Sequence, residues 1–466
     1  MENIDFDSVK NVKENTVSDA LNTSSFSLFY LKALFASGMG FFTCAYDLFI
    51  IGTALVLIKD EWHLSSSAIG LIGSISLIAT FVGAFVFGRL ADILGRKSIY
   101  GLEAILMTVG SILSAISPNV IFLLISRVIL GLGIGGDYPL SATLMSEYAN
   151  TKSRGRLVSI VFSAQALGLV IGPAVALTLL AAGVNHDLAW RIMLGLGALP
   201  AMSVIYIRRT LPESPRWIAR VKGDAKRAAN ELASFSLGTA ISNGKDSIVK
   251  APLSKYIFTL IGTAGTWFVF DFAYYGNAIS TPLIMKEIVP HANILASTAM
   301  SLILFSVAAV PGYILALLTV DQIGHKRLQI IGFALMGLMF FIIGAFPFLT
   351  QSIAIFLTLY GLSYFFAEFG ANTTTFLLAA EVFPVNLRTT GHGYSAGVAK
   401  IGAFIGAFIF PIILKTLGLD KTLVLTSVFS VVGILLTLAF ITEPSGKSLE
   451  EASNEASHIV AAEAKI

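Results

Sequence analysis

The sequence predicts an all-α polytopic membrane protein with twelve transmembrane helices in two six-helix bundles. The first observation is composition: 55% of the 466 residues are hydrophobic and only 13% are charged, too few to cover a soluble protein of this size. The second is a succession of apolar runs of about 18 residues or more, each long enough to cross a bilayer as a helix. The third is a short turn sequence that recurs in the second half of the chain.

Twelve apolar runs separated by short polar segments define the expected spans. They cover residues 29–58, 67–91, 98–116, 120–147, 156–183, 188–208, 256–285, 293–320, 327–347, 351–380, 390–416 and 421–441. Loops after the even-numbered spans carry Lys and Arg, whereas loops after the odd-numbered spans are short and acidic or neutral. The positive-inside rule therefore places the even loops and both termini in the cytoplasm.

The longest expected loop divides the chain into two halves. We predict a cytoplasmic tail at 1–28, a six-helix bundle at 29–209, a central cytoplasmic loop at 210–254, a second bundle at 255–442 and a cytoplasmic tail at 443–466. The first 25 residues are polar and acidic, so we expect them to be disordered. The single cysteine, Cys44, excludes an intramolecular disulfide.

The recurring turn supports the division into halves. GRLADILGRKS (88–98) and LTVDQIGHKRL (318–328) follow the second span of each half, and both place an Asp three residues before a Gly and a basic cluster. Such duplication is typical of secondary transporters. We expect Asp92, Arg96 and, in the repeat, Asp321 to form salt bridges that latch helices in one state, rather than to bind a substrate.

Charged residues inside the spans are the first candidates for function, because each costs roughly 2.5–3.5 kcal/mol at a helix centre on insertion scales. They are Asp47, Arg127, Asp137, Asp271, Glu368 and Lys400. A second group lies nearer to span ends, where we expect solvated interface residues: Glu103, Glu147 and Glu381.

Span 4 combines glycines with a polar segment. The glycines of GLGIGGDYPL (131–140) favour close helix packing, and Asp137, Tyr138 and Pro139 indicate a segment that lines a wet cavity. Arg127 lies ten residues before Asp137, about 15 Å along the helix, so a direct contact is not expected. Asp47 in span 1 is the better partner, as a static ion pair or as a proton relay.

Spans 7, 10 and 11 carry further polar side chains. Trp267, Asp271 and Tyr275 are spaced four residues apart and form one stripe on a helix face. Asn372 either packs between helices or faces a site, and the three threonines after it either bond their own helix or contribute to that site. Lys400 is too deep to snorkel easily, so we expect it to meet an acid or an anionic substrate.

The chain resembles the major facilitator superfamily over nearly its whole length, through GRLADILGRK (88–97), its weaker repeat and the span count. Within that superfamily it is similar to the phosphate:proton symporters, typified by fungal high-affinity phosphate transporters. The motifs that carry this second resemblance are GGDYPLSA (135–142), YDLF (46–49), the span 7 stripe, FGANTTTF (369–376) and VAKIGAF (398–404).

The resemblance implies roles for particular residues. Contacts to phosphate would come from Tyr138, Gln165, Trp267, Asp271, Tyr275 and Asn372, with Lys400 nearby. Proton coupling would fall to Asp47, Arg127 and Asp137, together with Asp271, which binds an anion well only when protonated. Cys44 stands where the family's first span usually has an acid, which bears on the proton count. The central loop is short for a fungal member, which indicates a prokaryotic origin.

We therefore expect a transporter that takes up inorganic phosphate with protons across the plasma membrane by rocking of two bundles. It should act as a monomer in contact with lipid, without nucleic acid, cofactor or metal, and it should not be an enzyme. A proton-coupled sugar or organic anion symporter is an alternative, although a sugar porter would show a Gln-Gln pair in span 7. A phosphate-binding nutrient sensor with little flux is another.

Overall fold

The computed structural model describes residues 15–25, 27–236, 242, 244–289 and 294–460. Eleven helices in this part of the chain are long and apolar enough to cross a membrane. The last of them, Arg388–Phe440, has 53 residues and breaks at Gly418, where φ is 83° and ψ is 170°. Because about 80 Å of helix is more than twice the thickness of a bilayer core, this element makes two crossings. The described residues thus form twelve spans, as the sequence predicts.

The first half contains spans 1–6, preceded by the short helix α1 (Val17–Thr23). In chain order the helices that build these spans are α2 (Leu28–Glu61), α3 (Ser66–Leu94), α4 (Arg96–Ile99) with α5 (Leu102–Ala115), α6 (Val120–Tyr148), α7 (Arg154–Ser163) with α8 (Gln165–Ala181), and α9 (His186–Leu196) with α10 (Ala198–Thr210). Spans 3, 5 and 6 are each interrupted between their two helices.

The segment between the halves is largely structured. It contains α11 (Pro215–Trp217), a π-helix (Ile218–Lys222), α12 (Ala225–Ser236), strand β1 (Ile248–Val249) and a 3-10 helix (Leu253–Tyr256).

The second half contains spans 7–12 and a structured C-terminal segment. Its elements are α13 (Ile257–Ile279), α14 (Thr281–Ile288), α15 (Ile294–Leu304), a π-helix (Phe305–Ala309), α16 (Val310–Ile323), α17 (His325–Ala345), a 3-10 helix (Pro347–Gln351), α18 (Ile353–Phe366), a π-helix (Ala367–Asn372), α19 (Thr373–Glu381), α20 (Arg388–Phe440), α21 (Leu449–Ala452), a 3-10 helix (Glu455–His458) and β2 (Ile459–Val460). Strands β1 and β2 pair antiparallel, so the C-terminal segment docks on the central segment.

The prediction of a disordered N-terminal segment is wrong for its described part. Thr16 and Asp19 form a capping box at the start of α1, and Val17 and Leu21 are buried. Residues 1–14 lie outside the described residues. The end of the molecule that carries α1, α12 and α21 is called the tail face below.

Glycines allow close contact both within the first half and between the halves. In span 4, a Cβ at Gly133 would lie 2.7 Å from the backbone nitrogen of Met107 on α5, and one at Gly136 would lie 2.9 Å from the Phe87 ring on α3. The packing role predicted for these glycines is confirmed. Between the halves, a Cβ at Gly88 would lie 2.8 Å from the Thr389 carbonyl oxygen, so spans 2 and 11 touch backbone to backbone.

The break at Gly418 should not tolerate a side chain, because its φ and ψ values fall in a region that is essentially restricted to glycine. We expect Gly418→Ala to lower the free energy of unfolding by about 1–3 kcal/mol. Thermal or denaturant unfolding of the detergent-purified protein measures this loss. Gly52→Ala is the matched control, since Gly52 lies inside α2 with open space around its Cβ position. Equal stabilities of the two variants would contradict the account of the break.

Candidate functional site

The centre of the site is an ion pair between spans 7 and 11. The Lys400 ammonium donates to Asp271 Oδ2 at 2.8 Å and to the Tyr275 hydroxyl at 3.1 Å. All three side chains are buried. The stripe on α13 therefore presents Asp271 and Tyr275 to the same cation, and Lys400 meets an acid, as the sequence predicts.

The first half supplies the opposite wall. The Lys400 nitrogen lies 4.9 Å from the centre of the Tyr138 ring, on α6, and 4.5 Å from that of Tyr275. The Tyr138 hydroxyl lies 3.5 Å from Cys44 Sγ, on α2, and its ring packs 5.9 Å from the Trp267 ring. Residues from four spans of both halves thus enclose a buried cation and two phenols.

Two other residues implied by the resemblance form no hydrogen bond with Lys400 in the part of the chain that the structure describes. Gln165 begins α8, and its Nε2 atom is buried without a hydrogen-bond partner among the described residues. Asn372 ends the π-helix of span 10 and donates from Nδ2 to Glu368 Oε2 at 2.6 Å and to the Tyr313 hydroxyl at 3.2 Å.

The threonines after Asn372 serve their own helix. Thr373, Thr374 and Thr375 each donate to a backbone carbonyl three to five residues earlier. Of the two alternatives that the sequence leaves open for them, the structure shows the local one.

An aromatic layer joins the two halves next to Tyr138 and Trp267. Phe162 stacks on Phe376 with ring centres 4.5 Å apart, and Phe41 lies 5.0 Å from Phe376 and 5.0 Å from Tyr138. Phe41 and Phe162 belong to the first half and Phe376 to the second. Movement of a solute through this layer requires the halves to separate.

The predicted pair of Asp47 and Arg127 is present. Arg127 donates to Asp47 Oδ1 at 2.5 Å and to the Ser76 hydroxyl at 3.2 Å, and both charged side chains are buried. Asp47 Oδ2 has no hydrogen-bond partner within the described residues. The pair joins spans 1 and 4 within the first half.

The partner of Asp137 is the last residue of the predicted span 6, which the sequence analysis did not consider as a partner. Arg208, near the end of α10, contacts Asp137 Oδ1 at 2.6 Å and Glu103 Oε1 at 2.7 Å. Ser141 also donates to Asp137 at 2.8 Å. Asp137 is therefore accommodated by a buried guanidinium, and not by the wet cavity that we expected. The sequence carries no clear signal for this contact, because long basic side chains at span ends ordinarily extend outward to the membrane interface.

The expectation that Glu103, Glu147 and Glu381 are solvated is wrong. All three are fully buried and ion-paired. Glu147 accepts from Arg96 at 3.0 Å and, across the halves, from Arg388 at 3.1 Å. Position near a span end did not imply contact with water, because the tail face is covered by the α11–α12 segment and the two tails.

The predicted salt bridge of Asp92 and Arg96 is present and extends between the halves. Their closest atoms are 3.0 Å apart. Asp92 also accepts from the backbone nitrogen and the hydroxyl of Thr390, at 2.7 and 2.6 Å. Arg96 donates to the Val385 carbonyl at 2.7 Å. The turn after span 2 is thereby tied to the start of span 11.

The repeated turn makes an equivalent set of contacts. Asp321 accepts from the backbone nitrogen of Arg156 at 2.9 Å and lies 3.4 Å from His325 Nε2. Glu381 binds Arg154 of the first half at 2.6 Å and His325 at 2.7 Å. Two related clusters of charges therefore hold the halves together at the tail face.

The C-terminal segment reinforces this closure. Glu455 contacts Arg388 at 3.0 Å and Arg220 at 2.9 Å, and Glu450 forms an ion pair with Arg216. Burial by itself would raise the pKa of the Glu450 carboxyl, but the adjacent Arg216 guanidinium holds that pKa well below its usual range. The segment thus acts as a charged clamp over the central segment and span 11.

A crevice between the halves lies on the side of the site away from the tail face. Residues of spans 1, 7 and 8 line it, including Leu48, Gly52, Ala278, Ser297 and Phe305. The tail face is closed by ion pairs, whereas this side presents mostly apolar walls with a few hydroxyls. Within the described residues, no group of three or more His, Cys, Asp or Glu side chains is arranged to hold a metal ion.

A twelve-span bundle in two halves, with a buried charged site between them, defines a secondary transporter of the major facilitator superfamily. The chain belongs to the sugar (and other) transporter family, whose model matches residues 32–456.

Curated relatives and a solved structure match almost the whole chain. The probable inorganic phosphate transporter 1-6 of Arabidopsis thaliana is 34% identical, over 96% of this chain and 97% of its own length. The probable inorganic phosphate transporter 1-12 of Oryza sativa subsp. japonica is 36% identical, over 94% of each. The proton:xylose symporter XylE of E. coli, bound to 6-bromo-6-deoxy-D-glucose, has a TM-score of 0.77 at 19% identity, over 92% of this chain and 99% of that chain, which shows the shared fold.

Removal of Arg208 should be strongly destabilising, because it leaves two buried carboxyls without their cation. We expect Arg208→Gln to lower the free energy of unfolding by about 3–5 kcal/mol. A variant that also carries Glu103→Gln and Asp137→Asn should recover much of this loss. Unfolding of the purified proteins in detergent measures both effects.

Arg209→Gln is the matched control, because Arg209 is the next residue on α10 and is exposed. A stability loss in Arg208→Gln no larger than in this control would contradict the assignment of Arg208 as the partner of both acids.

Proposed function

We propose that this protein takes up inorganic phosphate together with protons by alternating access. The observation that carries the proposal is the Lys400 ammonium, which is buried between the halves and held by a single carboxylate and a phenol. A cation in this position is suited to a small anion that enters the same space. The curated relatives described above are inorganic phosphate transporters, which supports phosphate as that anion.

Other side chains of the proposed site supply neutral hydrogen-bond donors. Tyr138 and Tyr275 have hydroxyls, and Trp267 has an indole N–H. The Nε2 atom of Gln165 has no hydrogen-bond partner among the described residues. Phosphate offers only acceptor oxygens when fully ionised, so it needs a donor-rich environment. Asn372 becomes a further donor when its amide releases Glu368 or Tyr313.

Asp271 links the proton to the anion. In the present arrangement its carboxylate neutralises Lys400, which leaves no net charge for phosphate. A proton on Asp271 cancels the carboxylate charge, and Lys400 is then available to the anion. Because binding linkage is reciprocal, phosphate in turn favours the proton on Asp271. We propose that the Asp47–Arg127 and Asp137–Arg208 pairs also take part in proton coupling.

The charged contacts at the tail face form the gate of the cycle. Asp92, Arg96 and Asp321 hold the halves together there, and inward release requires these contacts to part. We place the tail face in the cytoplasm, because the basic residues of the even loops lie at that end. The proposed location is the plasma membrane, with bundles at 29–209 and 255–442 and a functional monomer.

Transport assays in proteoliposomes test the proposal. We expect purified protein to take up radiolabelled phosphate, faster and to a higher level when the outside is acidic. Arsenate should compete, whereas xylose and benzoate should not. Uptake that is blocked by xylose or benzoate but indifferent to arsenate would favour a sugar or organic anion symporter. Phosphate binding without flux would favour a sensor.

The role of Asp271 is tested with Asp271→Asn. The amide resembles the protonated acid, so phosphate exchange between the two sides should persist. Accumulation driven by a pH gradient should fall to an inside-to-outside ratio of about one, because no proton is coupled to the movement. Asp187→Asn is the control, since Asp187 forms a half-exposed ion pair with Arg191 outside the site. Accumulation of phosphate against its gradient by Asp271→Asn would contradict the proposed role of Asp271 in proton coupling.

A further inference from the structure

Glu368 is a buried acid of span 10 to which the proposed function gives no role. It lies in the π-helix Ala367–Asn372, and its side chain is fully buried. Its Oε2 atom accepts from Asn372 Nδ2 at 2.6 Å, whereas Oε1 has no hydrogen-bond partner of normal geometry among the described residues. Single-turn π-helices inside α-helices occur frequently at functional sites.

Glu368 differs from the other buried acids of the spans in its lack of a cation. Within the described residues, each of the others forms an ion pair with Arg, Lys or His, whereas Glu368 forms none. The paired acids are Asp47, Asp92, Glu103, Asp137, Glu147, Asp271 and Glu381. An ionised carboxylate without a cation is costly in a membrane interior, so this environment favours the neutral acid.

The groups that surround Glu368 are weak acids and neutral amides. The phenols of Tyr274 on α13 and Tyr313 on α16 are within interaction range of the carboxyl, and Tyr364 on α18 is the next titratable group. On α17, Gly332 packs against Gly370 and Ala371, and the basic residues of that helix, His325, Lys326 and Arg327, begin about two turns earlier. On α19, Thr373 bonds the Glu368 carbonyl.

The contacts of Asn372 connect Glu368 to a residue that the proposed function places against phosphate. An asparagine amide has two N–H donors. Asn372 Nδ2 donates to Glu368 Oε2 and to the Tyr313 hydroxyl, so both donors are occupied. Asn372 can donate to a substrate only after one of these bonds is released.

We propose that Glu368 is a second proton-binding residue of transport, which releases the Asn372 amide to phosphate when it is protonated and withholds it when ionised. This inference rests on the proposed function. An ionised carboxylate accepts the amide hydrogen bond strongly and repels an anion nearby. The neutral acid is a weaker acceptor and carries no charge. Proton binding at Glu368 therefore raises phosphate affinity, which is the direction that symport requires.

The decisive variant is Glu368→Gln, which resembles the protonated acid at every pH. Proton and radiolabelled phosphate uptake are measured together in proteoliposomes, and we expect one proton fewer per phosphate than in the unaltered protein. The Michaelis constant for phosphate should also change less with pH in the variant than in the unaltered protein. Between about pH 6 and pH 8 the difference should amount to at most about tenfold per pH unit, the contribution of one coupled proton. Because phosphate itself titrates in this range, variant and unaltered protein are compared at each pH.

Two further variants distinguish a loss of proton coupling at Glu368 from a general structural effect of the substitution. Glu368→Asp keeps an acid and should keep the proton count of the unaltered protein. Glu231→Gln makes the same change in α12, outside the spans, and should alter neither quantity. An unchanged proton count and pH dependence in Glu368→Gln would overturn the inference while phosphate transport stands. Absence of phosphate uptake by the unaltered protein would instead overturn the proposed function.

A measurement on the unaltered protein covers the case in which Glu368→Gln does not fold. Hydrophobic carbodiimides react with protonated carboxyls in apolar surroundings, and mass spectrometry maps the modified residue. We expect Glu368 to be modified, faster at lower pH, and Glu381 to be spared, because Arg154 and His325 hold it ionised. Modification of Glu368 that is absent or independent of pH would overturn the inference.

Discussion

An ionised side chain inside a membrane needs a partner of opposite charge, and the arrangement of this transporter depends on that constraint. Asp271 and Lys400 satisfy it between spans 7 and 11, and Asp47 and Arg127 satisfy it between spans 1 and 4. Each pair fixes the approach of two helices more specifically than apolar contact does. The same pairs limit how the helices can move, because a charged side chain that leaves its partner must bind another opposite charge or water.

The distribution of these pairs separates rigid from movable parts. Arg208 binds Glu103 and Asp137 within the first half, so this cluster strengthens one bundle. Glu147 and Glu381 bind arginines of the opposite half, so their contacts must be exchanged for water when the tail face opens. Glu368 has no such partner in the described residues, and its charge state is therefore governed by protons and hydrogen bonds.

Sequence patterns predicted the parts of the site that lie within single helices or follow from burial of charge. The stripe of Trp267, Asp271 and Tyr275 follows from helical spacing, and the need of Lys400 for an acid follows from its depth. Arg208 was missed, because a basic residue at a span end looks like part of a cytoplasmic loop until the fold turns it inward. The partners of Asn372 were also missed. Glu368 lies four residues earlier, a spacing at which helical side chains meet, so this contact had a sequence signal, whereas Tyr313 lies on another span and leaves none.

Cys44 is the only cysteine of the chain, and it lies buried against the Tyr138 hydroxyl at the centre of the molecule. The protein therefore carries one natural attachment point for thiol-reactive labels, in the region where the two halves meet. Reagents that differ in size and charge reach this thiol only through whichever side of the membrane is open. Its reaction rate reports the equilibrium between inward-open, closed and outward-open forms without any change to the sequence.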